Sequence, residues 1–143
     1  MKMFDKIKEF FKKWTAKFLD FINLSKTFIK EQKEKLKNLY QTNYNTGMFH
    51  LEHGNLWDAA FRFKIIKKFW PDKLEAQYQY AICLVLEDMK NDAIALLKDI
   101  LKKDENYSDA KQLLSDLENN VENPVIKGYK EKFKKSEENT ENK

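Results

Sequence analysis

His50 and His53, three residues apart, and the single cysteine Cys83 are the side chains best suited to metal or nucleophile chemistry in this chain. On a helix the two imidazoles share a face, but a tetrahedral metal site needs further ligands. No cysteine lies near them in sequence, and no Glu-x-x-His pair on a second helix completes a set. No metal and no cofactor is therefore expected. Cys83 cannot form an internal disulfide, and within "YAICLVL" it reads as a small packed side chain in a reducing compartment. For catalysis there is no glycine-rich phosphate loop, no activated serine or cysteine arrangement and no recognisable carboxylate pair. The chain reads as a non-enzyme whose chemistry is that of binding surfaces.

The elements that would carry such surfaces are helical. The 143 residues suit one ordinary domain, 35% are charged and 42% apolar, and three glycines and two prolines leave room for few turns. An all-α fold is expected. Compared with itself at an offset of 34, the window 40–73 pairs Tyr44 with Tyr78, Asp58 with Asp92, Ala59 with Ala93, Lys64 with Lys98, Ile66 with Ile100 and Lys68 with Lys102. Chance gives roughly two identities in such a window. Gly47 with Ala81, Met48 with Ile82, Leu51 with Val85 and Phe63 with Leu97 add similar residues in step.

Each unit reads as a helical hairpin. In the first, a helix over residues 40–52 meets the turn "HGN", a second covers 56–69, and "WPDK" breaks the chain again. Gly54 suits the left-handed turn and Asn55 the N-cap. Small residues at Gly47 and Ala59, and at Ala81 and Ala93, let paired helices approach, with Phe63, Ile66, Leu97 and Ile100 around the contact.

These residues resemble the tetratricopeptide repeat family, whose 34-residue unit has a small residue in the first helix, an alanine and an aromatic in the second, and a closing proline. Gly47, Ala59, Phe63 and Pro71 match in unit 40–73, and Ala81, Ala93 and Leu97 in unit 74–107. Asn43 and Gln77 depart from it where a large apolar residue is usual, as do His50, where an aromatic is common, and Glu105, in place of the second proline. The resemblance implies a helical-hairpin solenoid with a concave groove lined by first helices. By the 34-residue register that groove would hold Gln41, Tyr44, Met48, Leu51 and Glu52, then Glu75, Tyr78, Gln79, Ile82 and Val85. Packing inside a short array is the competing use of these residues. Family members that grip carboxyl-terminal tails use lysine and asparagine where this chain has Tyr44 and Met48, so the implied ligand is an apolar peptide or amphipathic helix.

Residues 108–118, "SDAKQLLSDLE", suit a capping helix with Ser108 as N-cap and Ala110, Leu113, Leu114 and Leu117 on one face. Residues 119–143 are polar and aperiodic beyond a turn of helix near Tyr129 and Phe133, and read as a disordered tail, with "PVIKGYKEKF" a candidate docking motif. Residues 1–24 are the reverse. Phe4, Ile7, Phe10, Phe11, Trp14, Phe18, Phe21 and Ile22 share one helical side, with Lys2, Lys6, Lys13, Lys17 and Asp20 opposite. No glycine or proline occurs before Gly47, so helix could run on to the first repeat, with "NLSK", residues 23–26, the expected place for a break before the repeat domain of residues 25–118. Three uses of the aromatic side stay open: packing on the outer stripe Trp57, Phe61, Ile65 and Phe69, lying on an anionic membrane surface, or pairing with a protein or a second copy.

Charge sharpens the partner classes. Residues 1–40 hold 11 lysines and 5 acids, whereas residues 41–119 are net acidic. Arg62 is the sole arginine, which disfavours nucleic acid, since base readout leans on bidentate arginine. Acids and lysines interrupt the apolar run an export signal needs, and no stretch approaches the roughly 20 apolar residues of a bilayer span. The expected function is a protein-binding adaptor or scaffold in the cytoplasm, the alternative a peripheral assembly factor held at the inner face of a membrane. Oligomeric state is left open.

Overall fold

The computed structural model describes residues 2–141. They form six α-helices and no strand: α1 (Lys2–Glu52), α2 (Leu56–Phe69), α3 (Leu74–Leu86), α4 (Lys90–Lys103), α5 (Ser108–Glu118) and α6 (Pro124–Glu141). Met1, at one end of the helix expected over residues 1–24, and Asn142 and Lys143, at the end of the expected tail, lie outside the described residues. The chain divides into two compact units, Met1–Leu39 and Tyr40–Lys143.

The described residues of the first unit are helical, including residues 23–26 where a break was expected. The hydroxyls there bond within the helix: Ser25 Oγ donates to the Phe21 carbonyl at 2.8 Å and Thr27 Oγ1 to that of Asn23 at 3.0 Å. Such back-bonding to the preceding turn lets serine and threonine sit inside a helix, and no glycine or proline opposes it. The buried residues of α1, Asn43, Gly47 and Leu51, all belong to the second unit.

In the second unit the helix boundaries recur. α2, α4 and α6 begin at Leu56, Lys90 and Pro124, each 34 residues after the last, and α3 and α5 begin 34 apart at Leu74 and Ser108. The turns recur for a physical reason. Gly54 has φ +77°, and Asp88, 34 residues later, has φ 64°. Each is followed by an amide that reaches back five residues to close the helix end: Asn55 N–H donates to the His50 carbonyl at 2.9 Å, and Met89 N–H to that of Leu84 at 2.8 Å. Asparagine and aspartate tolerate this left-handed conformation better than most residues, and Asn120, φ 53°, ends α5 in the same way. Asn55 holds the N-cap position of α2 without a side-chain bond. Ser108 does not cap α5. It is the first helical residue, after Tyr107 in the cap position.

Consecutive helices from α2 to α5 pack against one another. The core they share with the end of α1 holds Leu51, Phe63, Ile66, Ile82, Leu97, Ile100 and Leu113, all with essentially no exposure, together with Ala59, Ala76, Ala81, Ala93 and Ala110. The alanines remove bulk where helices meet, and the larger side chains fill the remaining space. Gly47 acts in the same way: a Cβ there would lie 2.9 Å from the Phe63 ring, so only glycine lets the ring close on α1. Asn43 and Gln77, which break the apolar pattern 34 residues apart, are both buried and bonded. Asn43 Oδ1 accepts from Arg62 at 3.1 Å, and Gln77 Nε2 donates to the Pro71 carbonyl at 2.7 Å.

The expected disordered tail is instead largely α6. Asn123 stands where the N-cap of α2 stands in its own turn, and its Oδ1 accepts from the Val125 amide at 3.0 Å. Pro124 follows as the first helical residue, where its missing N–H costs nothing. Asn123 Nδ2 in turn donates to the buried Asp116 at 2.7 Å, tying the start of α6 to α5. Ile126 is buried and α6 packs against α3. Ile126, Tyr129 packed at the edge of the core and a two-sided asparagine thus anchor a helix whose other residues are mostly polar.

Candidate protein-binding surfaces

Three surfaces carry the residues singled out by the sequence. The first is the expected groove on α1 and α3. Leu51, Tyr78 and Ile82 are buried, Tyr44, Met48, Gln79 and Val85 are half-buried, and Gln41, Glu52 and Glu75 are exposed. The structure brings the two halves together: Tyr44 Oη donates to Glu75 Oε1 at 2.8 Å. Burial, reinforced by that bond and by the Glu75 charge, raises the Tyr44 pKa well above its ordinary value. Aromatic contacts continue along this side, Tyr44 with Phe63 at 5.9 Å between ring centres, Tyr40 with Trp70 at 5.9 Å, and Tyr78 with Tyr107 at 5.8 Å. Burial, then Asp109, pushes Tyr78 up to about 12. The groove floor is therefore mostly a packed aromatic layer.

α6 lies beside one end of that floor. Phe133 is 3.4 Å from where a Cβ on Gly54 would be, and Ile126 and Lys130 border a hollow with Val85 and Leu117. A second hollow runs between Glu52, Gly54 and Leu56 on one side and Lys132, Phe133 and Ser136 on the other. The expected docking motif "PVIKGYKEKF" is thus part of α6, and Ile126, Tyr129 and Phe133 are turned at least partly inward.

The second surface is the outer stripe of α2. Trp57 is 70% exposed, Phe61 49% and Phe69 65%, with Trp57 and Phe61 stacked at 5.9 Å. Phe61, Ile65 and Tyr80 line an open depression of about 500 Å³, rimmed by Lys64, Lys67 and Lys68. Tyr80, on α3, is the member sequence reading missed. It lies two residues after Tyr78 on another side of its helix, and only the packing of α3 on α2 brings it there.

The third surface is the aromatic side of the first unit. Phe4, Phe10, Phe11, Trp14, Phe18 and Phe21 are each about half exposed or more, as is Ile7. Trp14 and Phe18 stack at 5.5 Å and Lys8 Nζ lies 5.5 Å over the Phe4 ring.

The side chains first considered for chemistry take other roles. His53 Nδ1 lies 2.7 Å from the Phe49 carbonyl, and its ring packs at a tilt on Phe49, 4.2 Å between centres. Among the described residues no three His, Cys, Asp or Glu side chains converge on a metal position. Cys83 is buried, and burial, then Glu87, pushes its thiol up to about 12, far from a reactive thiolate. No described helix is long and apolar enough to cross a membrane. Compared with protein-family models, with curated proteins and with solved structures, the chain matches none.

Proposed function

We infer that the chain is a protein-binding helical module of the tetratricopeptide kind, acting as an adaptor or scaffold and not as an enzyme. The 34-residue recurrence of helix starts, joined to left-handed residues at Gly54 and Asp88, supports the repeat reading. A buried, protonated Cys83 fits a reducing cytoplasmic setting.

The observation that carries a binding role is the α2 stripe. Large aromatics gathered around an open apolar depression are the usual mark of a contact surface, whereas most large apolar residues on α3 and α4 face inward. The expected groove is the lesser seat because Leu51, Tyr78 and Ile82 already pack in it. With Lys64, Lys67 and Lys68 on the rim, the stripe suits an amphipathic helix or apolar peptide with acidic flanks.

A displayed library of helical peptides selected against the full chain tests this. The expected winners carry an apolar face bordered by aspartate or glutamate, and their affinity falls at least tenfold against Phe61→Glu. Winners that bind Phe61→Glu unchanged but lose Tyr44→Ala would move the seat to the groove. No enrichment at all would remove the binding role.

A further inference from the structure

We propose that residues 3–29 of α1 bind along an anionic bilayer surface, with their aromatic side at the acyl boundary and their lysines against lipid phosphates. This rests on the first unit alone and is independent of the repeat reading.

The segment is helical, and within its unit no second element lies over the aromatic side. At about 100° per residue, Phe4, Phe10, Phe11, Trp14, Phe18 and Phe21 fall within an arc of roughly 120°. Phe28 and Ile29, a turn and a half beyond Ile22, fall on the same arc and are also exposed. The stripe is thus longer than the opening aromatics suggest.

The charges decide between occupants. Lys6, Lys13 and Lys17 border the arc on one side, and Lys8, Lys12 and Lys26 on the other. Asp5, Glu9 and Asp20 lie between these borders, opposite the aromatics. Lysine stems at both margins can reach up to phosphates while the carboxylates stay in water, the sorting an interfacial helix needs. A second copy of the helix would instead set lysine margin against lysine margin, and a neutral zipper seam gains nothing from that. The α2 stripe is also rimmed by lysines and is an equally poor electrostatic match. Phenylalanine and tryptophan supply the apolar area, and no described helix could span the bilayer.

Vesicle flotation with the full chain tests the proposal, comparing phosphatidylcholine alone with a mixture containing about one third phosphatidylserine. Binding is expected to the mixed vesicles, weakening with salt. Replacing Lys8, Lys12 and Lys17 by glutamine should lower partitioning on the order of a hundredfold, since each lysine near an anionic surface contributes roughly a fivefold factor. Phe11→Asp with Phe18→Asp should abolish it, and Phe61→Glu should leave it intact. Circular dichroism melts of each variant, expected to match the parent because the replaced side chains are exposed, separate lost binding from lost folding. No binding to mixed vesicles at low salt overturns the proposal, as does a lysine variant that binds like the parent. So does self-association abolished by the Phe11 and Phe18 changes in a chain that ignores vesicles, which would make the aromatic side a protein seam.

Discussion

Phe11 and Phe63 are the same residue and both lie on helices, yet Phe11 is 58% exposed and Phe63 has no exposure. Phe63 faces Gly47 on α1, Ala59 lies one turn before it on its own helix, and the next hairpin carries Ala81 and Ala93, so backbones close and the ring is sealed. Residues 2–39 contain no glycine and a single alanine, Ala16. An apolar face becomes core only where small residues let a second element reach it. Without them the same face stays available for a bilayer or a partner.

The comparison breaks most sharply under alanine. Phe63→Ala should cost about 3–5 kcal/mol in urea unfolding, because the ring lies in a closed site. Phe11→Ala should cost less than about 0.5 kcal/mol, as exposed substitutions do. Comparable losses from both would mean that Phe11 is covered in solution.

How far the sequence foretold this differs by feature. The 34-residue period was legible because it repeats small and large residues together, and Gly54 announced its turn because few residues take φ near +77°. Asp88 did not announce the equivalent turn, since aspartate is common in many settings. α6 escaped because its composition is that of a solvated segment. The signal that would have found it was "NP" at Asn123 and Pro124, with Ile126, Tyr129 and Phe133 at helical spacing. Its tie to Asp116 is tertiary and has no local signature. The α2 stripe was visible as excess apolar residues on one helix, whereas its depression needed Tyr80 from another.

Alkali should separate the two units next. All six tyrosines and the one cysteine lie in Tyr40–Lys143, and each has a raised pKa with burial as the leading cause. A group whose pKa is higher folded than unfolded keeps its proton longer in the folded state. Its contribution is complete below the unfolded value and is lost as pH climbs through the folded one. For Cys83 that window runs from 9.0 to about 12, and for Tyr78 from 10.0 to about 12. Unfolding free energy should hold steady to about pH 8.5 and drop by on the order of 1–3 kcal/mol by pH 11. Cys83→Ala, which loses one of these groups, should fall less steeply. A flat profile would mean that the tyrosines and Cys83 are solvated.

The smallest effect is expected from charge. Lys98 Nζ lies 3.4 Å from Glu118 Oε1, bridging α4 and α5, with both side chains about half exposed. Held in water, such a pair gains little Coulomb energy and loses side-chain freedom. A double-mutant cycle with Lys98→Ala and Glu118→Ala should give a coupling below about 0.5 kcal/mol. Leu97→Ala, one residue away but buried, should cost about 2–5 kcal/mol. A coupling near the cost of Leu97→Ala would assign the cohesion of the second unit to ion pairs. A lysine-rich first unit would then differ from it in charge pairing, and the small residues at Gly47, Ala59, Ala81 and Ala93 would no longer explain why one aromatic face is sealed and the other open.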